Sequence, residues 1–152
     1  MTTAITFGAY DLFHIGHLNL LRNARAQCDR LIVGVASDER ISRYKNKRPI
    51  FPEHERLEIV RSCRYVEEVF LNDDDPGSFE SYVKWGRKFG AEKIFIGSDW
   101  QGTDKYEKIG VLLKKELNCE LVYLPHTSGV STTDIIKRIL DTGHGREKIE
   151  VS

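Results

Sequence analysis

Residues 4–27 read AITFGAYDLFHIGHLNLLRNARAQ, and their pattern decides the fold. Ala4 to Phe7 is a short apolar run that closes on Gly8, as a buried strand does. Leu18 to Gln27 follows with Leu18, Leu21 and Arg25 at helical spacing. Between the two lies a polar loop carrying Asp11, His14, Gly16 and His17. The next stretch, Leu31 to Ala36 (LIVGVA), is a continuous apolar run of the kind found in a strand covered on both faces. A strand, a helix and a second strand in so short a span predict a parallel unit.

The alternation continues along the chain. Ser37 or Asp38 caps a short helix, and Lys45 to Pro49 forms a basic loop. Pro52 opens a helix at a first-turn position, with Glu53 and Glu55 near its positive end. Strands are expected at Val66 to Leu71, Lys93 to Ile96 and Glu120 to Leu124. Helices are expected at Phe79 to Phe89, stopped by Gly90, at Lys105 to Leu117 and at Ser131 to Leu140. The expectation is an α/β, Rossmann-like, parallel five-stranded sheet with helices on both faces. It occupies one domain, residues 1–142, followed by a polar tail, residues 143–152.

Composition narrows the function classes. The 152 residues carry 23 basic and 23 acidic side chains, so there is no basic surplus for nucleic acid or an anionic membrane. Cys28, Cys63 and Cys119 are odd in number and form no CxxC pair, which argues for small core hydrophobes over a disulfide framework or a zinc site. No secretory leader or membrane-length apolar run is visible, and a cytoplasmic protein is expected.

In parallel sheets ligands bind beyond the carboxyl ends of the strands. The polar motifs of this chain fall in four such loops. In the first, Gly8 permits a tight exit from the strand. His14 and His17 stand three apart at a helix start, where two imidazoles and the helix N-terminus can address one anion; Gly16 lets the backbone approach. Asp11 can orient a histidine, bind a ribose hydroxyl, assist a metal ion or simply hold the turn. The second loop, Lys45-Asn46-Lys47-Arg48, supplies cations for the terminal phosphates of a triphosphate. Arg56 and Arg64 follow eight apart, on roughly one helical face. The third, Gly97-Ser98-Asp99-Trp100, offers an acid and an aromatic ring for a base or a substrate. The fourth, from His126 and Thr127 through Gly129 to Ser131 and Thr132, supplies hydroxyls and free N–H groups just before a helix.

TFGAYDLFHIGH, the KNK loop, EHERLEIVRSCRYVEEV, IGSDW and VYLPHTSGVSTTDI together resemble the cytidylyltransferase branch of the HxGH nucleotidyltransferases, and within it the bacterial glycerol-3-phosphate cytidylyltransferases. The resemblance runs from Ile5 to about Leu140. It implies transfer of CMP from CTP to a small alcohol phosphate, with release of pyrophosphate. His14, His17, Lys47 and Arg64 would carry the chemistry, with His14 and His17 on the transferring phosphoryl group and Lys47 on the pyrophosphate. Phe7, Gly8, Ala9, Tyr10, Asp11, Gly16, Lys45, Asp99, Trp100, His126, Thr127, Gly129, Ser131 and Thr132 would bind nucleotide. Asp38, Arg56 and Arg64 would hold the acceptor. Mg²⁺ is expected with CTP, mainly through phosphate oxygens and water, and a homodimer is implied.

The family pattern RTEGxST reads HTSGVST here, so His126 replaces an arginine and Ser128 an acid; Ala9 replaces a small hydroxyl residue. Alternative acceptors are phosphoethanolamine, phosphocholine and a hydroxyalkylphosphonate. An adenylyltransferase of the pantetheine-phosphate or FAD-forming kind, or a non-catalytic nucleotide-binding module, are further alternatives. The class I aminoacyl-tRNA synthetases also carry HIGH, but this chain is too short for them and has no KMSKS loop.

Overall fold

A computed structural model of the chain describes residues 1–144. Five parallel strands, β1 (Thr3–Gly8), β2 (Arg30–Ala36), β3 (Glu68–Asn72), β4 (Lys93–Gly97) and β5 (Glu120–Leu124), form one sheet in the order β3-β2-β1-β4-β5. The helices are α1 (Ile15–Arg25), α2 (Asp38–Lys45), α3 (Glu53–Arg61), α4 (Phe79–Phe89), α5 (Asp104–Leu117) and α6 (Thr132–His144). The Rossmann-like architecture expected from the sequence is the one observed.

Strand side chains alternate between two cores, as the period of two requires. Ala4, Leu31, Val33, Val35 and Phe95 join Leu21 and Ala24 of α1 and Val60 of α3 on one face. Ile5, Ile32 and Ile94 join Tyr82 of α4 and Ile109 and Leu113 of α5 on the other. Gly34 belongs to the second face: a Cβ there would stand 2.6 Å from the Phe70 ring and 2.8 Å from Phe7. Phe70 and Phe7 close edge to face over it at 6.0 Å. The chain winds one way from β1 to β3 and the other way from β4 to β5. The switch point therefore lies between β1 and β4, where such sheets take their ligands.

Several element boundaries differ from the sequence expectation. Helix α1 begins at Ile15, three residues before Leu18, because His14 serves as its N-cap. Pro52 is the cap of α3 and not its first helical residue. Of the two caps offered for α2, Ser37 is the one used, its side chain accepting from the Arg40 N–H at 3.0 Å. Strand β3 begins at Glu68, so Val66 lies outside it. Ser98–Trp100 forms a single 3-10 turn that no sequence period announces. Helix α6 runs on to His144, so the expected tail at 143–152 starts inside it; residues 145–152 lie outside the described residues. Cys28 and Cys119 are buried free thiols and Cys63 is a half-buried one. No helix among the described residues is long and apolar enough to cross a membrane.

Candidate active site

The loop from β1 to α1 turns through two residues with positive φ, Tyr10 (56°) and Leu12 (51°). Asp11 between them is buried, and both its carboxylate oxygens accept hydrogen bonds. It accepts from the N–H groups of Ile50 (2.7 Å) and Phe51 (2.8 Å), and from its neighbour Leu12 (3.1 Å). Its own carbonyl accepts from the Thr132 hydroxyl at 2.9 Å. Asp11 therefore ties the first loop to the Lys45–Phe51 segment and to α6. Both carboxylate oxygens serve backbone donors, which is the turn-holding role among those its sequence position offers, and Asp11 also lines the adjoining cavity.

His14 and His17 cap α1 reciprocally. The Nδ1 of His14 accepts from the Gly16 N–H at 3.0 Å, and the Nδ1 of His17 accepts from the His14 N–H at 3.2 Å. The rings stack with centroids 3.8 Å apart. A backbone donor on each Nδ1 fixes the neutral tautomer, so each ring carries its proton on Nε2. Burial, then the neighbouring His14 and Lys45, lowers the His17 pKa to about 4 in spite of Asp11; burial lowers that of His14 as well. Near neutral pH the pair is uncharged and presents two Nε2–H donors.

Two adjoining cavities meet at His17. The first, about 340 Å³, has the backbone turn Phe7–Asp11 as its floor, Lys45 and Lys47 on one wall and Ser131 and Thr132 on another. The second, about 180 Å³, is bounded by His14, Gly16, His126 and Thr127, and shares His17, Ser131 and Thr132 with the first. Desolvation, with Lys47 and Arg40 close by, lowers the Lys45 pKa. An anion in the first cavity would relieve that repulsion. Thr127 is steadied by Asn19, whose amide donates to its hydroxyl at 3.2 Å. Gly129, at φ +80°, makes the turn that brings Ser131 and Thr132 back to the cavity. His126 and Asp99 face each other at 3.7 Å on the rim, both exposed. Trp100 is exposed beside them and leans on Tyr106 at 5.3 Å. Tyr10 is buried, its hydroxyl without a hydrogen-bond partner among the described residues and its ring beside His17 at 5.3 Å.

Arg56 and Arg64 are not where the sequence spacing puts them. Arg56 is fully buried. It donates to the carbonyls of Phe51 (2.9 Å), Ala9 (2.8 Å) and Ala36 (2.7 Å), and pairs with Asp38 at 2.7 Å. It is a strut beneath the site and has no face to offer an acceptor; Asp38 spends one oxygen on it. Arg64 lies beyond the end of α3, in the turn that enters β3, so it shares no helical face with Arg56. That turn is at the amino edge of the sheet, opposite the cavities. Arg64 is exposed there, over the Tyr65 ring at 5.6 Å. Sequence reading missed Leu20, Ile41, Pro49 and Thr133 as cavity walls. Thr133 follows the STT hydroxyl run; the others are apolar and carry no chemical signal.

The Cytidylyltransferase-like family model matches residues 5–138. Glycerol-3-phosphate cytidylyltransferase of Staphylococcus aureus is 36% identical over 135 residues, which cover 89% of this chain and 92% of that one. FAD synthase of Thermococcus kodakarensis is 32% identical, with 89% of each chain covered. Ethanolamine-phosphate cytidylyltransferase of Mus musculus is 36% identical over 88% of this chain, but over only 31% of its own length.

Proposed function

The chain belongs to the cytidylyltransferase-like family and is a nucleotidyltransferase, and we propose that it transfers CMP from CTP to glycerol 3-phosphate, releasing pyrophosphate. The carrying observation is the stacked pair of neutral histidines, Nε2–H outward, set between a lysine loop and a hydroxyl-bearing helix start. A phosphate oxygen of the acceptor attacks the α-phosphorus in line. The new O–P bond forms as the bond to the bridging oxygen breaks, and that electron pair leaves with pyrophosphate. The attacking oxygen is already anionic, so no base is needed. His14 and His17 donate Nε2–H bonds to the α-phosphoryl oxygens as charge builds there, and Lys45 and Lys47 receive the leaving group. Ser131 and Thr132 hold the β- and γ-phosphates.

Among the described residues no three metal-ligating side chains cluster, and Asp11 is committed to backbone. Mg²⁺ would therefore come with CTP, held by phosphate oxygens and water, and neutralise phosphate charge. The acceptor assignment is supported by similarity along nearly the whole of a glycerol-3-phosphate cytidylyltransferase. The same reading has the chain act in the cytoplasm as a homodimer, which light scattering at assay concentration tests.

The deciding experiment measures pyrophosphate release with each of the four NTPs against a panel of alcohol phosphates and phosphonates. CTP with glycerol 3-phosphate should be the best pair. Release with ATP alone would move the chain to the adenylyl side, where the FAD synthase relative stands. No release with any pair would sink the transferase reading.

A further inference from the structure

One half-buried guanidinium beside the cavity has no role so far. Arg40, on the first turn of α2, is anchored at one point: its Nε donates to the Asp74 carbonyl at 2.6 Å. Its terminal nitrogens have no hydrogen-bond partner among the described residues. The Asp74 carboxylate acts on it as well, but at no ion-pair distance among the described residues. The Asp74 carboxylate is taken by Ser81, Lys84 and Trp85, each at 2.8 Å, and Asp73 accepts from the Ser37 hydroxyl at 2.5 Å.

The groups acting on Arg40, besides Asp74, are the hydroxyls of Tyr82 and Tyr106, both from buried side chains, and the more exposed Tyr44. Burial raises the Tyr82 pKa, so that phenol keeps its proton. A second cation joins them from α5. At Gly77, where φ is +65°, a Cβ would stand 2.7 Å from the Lys105 Nζ and 3.0 Å from the Tyr106 hydroxyl, so that loop, ammonium and phenol lie together. The cluster adjoins the transfer cavity across Phe7. Phe7 lines the cavity with one face and packs against Tyr82 at 5.4 Å, and Ile41, next to Arg40, lines the cavity too. Trp100 covers Tyr106 from the rim.

We propose that Arg40, with Lys105 and the hydroxyls of Tyr82 and Tyr106, reads the far end of the acceptor and selects one made of hydroxyl or anionic oxygens over one carrying an ammonium group. This rests on the cytidylyltransferase reading above and adds to it a determinant of acceptor class. The chemistry is one-sided. Unfilled guanidinium donors and two phenols suit the vicinal hydroxyls of a polyol, and the phenols can donate as well as accept. An ammonium brought to the same place meets the anchored Arg40 guanidinium and, from the α5 side, the exposed Lys105 ammonium, an arrangement that excludes by repulsion as much as it selects by attraction. The aromatic rings alone would have suited a quaternary ammonium; Arg40 in their midst reverses that preference.

The test compares kcat/KM for glycerol 3-phosphate, phosphoethanolamine and phosphocholine, with CTP saturating, in the wild-type chain and in Arg40→Met and Arg40→Lys. Wild type should favour glycerol 3-phosphate. Arg40→Met should shift the ratio toward the two ammonium acceptors by tenfold or more. Arg40→Lys, which keeps the charge, should hold most of the wild-type exclusion of ammonium. A merely structural Arg40 would lower all three acceptors together and leave their ratio alone, so an unchanged ratio in Arg40→Met overturns the proposal. Should that variant not fold, a loss of ammonium exclusion in Lys105→Met supports the same cluster, and an unchanged ratio there overturns it. Wild type preferring phosphocholine would overturn it at once. No turnover by wild type with any acceptor would instead remove the transferase reading beneath it.

Discussion

His17 does two jobs with its two nitrogens, and they can be separated. Its Nδ1 holds the helix cap while its Nε2–H faces the cavity. Alanine removes both at once. Asparagine places an acceptor close to the Nδ1 position and nothing at Nε2, so His17→Asn should keep the fold and lose turnover by about 10²–10³-fold, the usual cost of one transition-state donor. Glutamine reaches the Nε2 position but gives up the cap, so His17→Gln should keep more turnover and lose about 1 kcal/mol of stability. Kinetics and urea midpoints on the two variants check this, and an Asn variant as active as wild type would refute the donor role. The same residue links stability to pH. Folded His17 titrates near 4, against about 6.5 for an unfolded imidazole. Between those values the unfolded chain takes a proton that the native chain refuses. Stability is therefore full above the window and falls as pH drops through it, by on the order of 3 kcal/mol. Unfolding midpoints measured from pH 7 to pH 4 should show that fall, and His17→Asn should flatten it.

Two buried charged groups fasten the loops to one another. Arg56 gathers three carbonyls and Asp38, from segments up to 47 residues away. Removing it orphans all four, so Arg56→Met should cost about 3–5 kcal/mol, read as a drop in denaturation midpoint, where an acceptor-binding arginine would have raised KM and left stability alone. Asp11 works on the lysine loop in the same way. Asp11→Asn loses one of its two charged acceptors for the Ile50 and Phe51 N–H groups, at a cost of about 1–3 kcal/mol. The loosened segment carries Lys45 and Lys47, so KM for the nucleotide should rise more than kcat falls. A fall in kcat at unchanged KM would mean that Asp11 acts on the reacting groups instead.

At the scale of the whole molecule, what was legible in the sequence was whatever is written locally. LIVGVA could only be a covered strand, and the helix Phe79–Phe89 announces its own end at Gly90, which is left-handed with φ +63°. The loops gathered around His17 followed from strand polarity alone. What escaped was set by distant partners. Nothing near Arg56 in the chain says that Ala9 and Ala36 will present carbonyls to it. Arg64 falls at the amino edge because a turn intervenes between α3 and β3, and helical spacing cannot foresee that. Strand order then explains why the site can stiffen the fold. The lysine loop extends from the β2 side of the switch point and the hydroxyls of α6 from the β5 side, joined through Asp11 alone among the hydrogen bonds described above. A bound triphosphate would bridge both sides to the Phe7–Asp11 turn. CTP without acceptor should therefore slow amide exchange together in residues 8–17, 45–51 and 126–133, and leave α4 unchanged. Protection confined to residues 8–17 would mean that the nucleotide does not span the switch point, and the phosphate roles of Lys45, Lys47, Ser131 and Thr132 would fall with it.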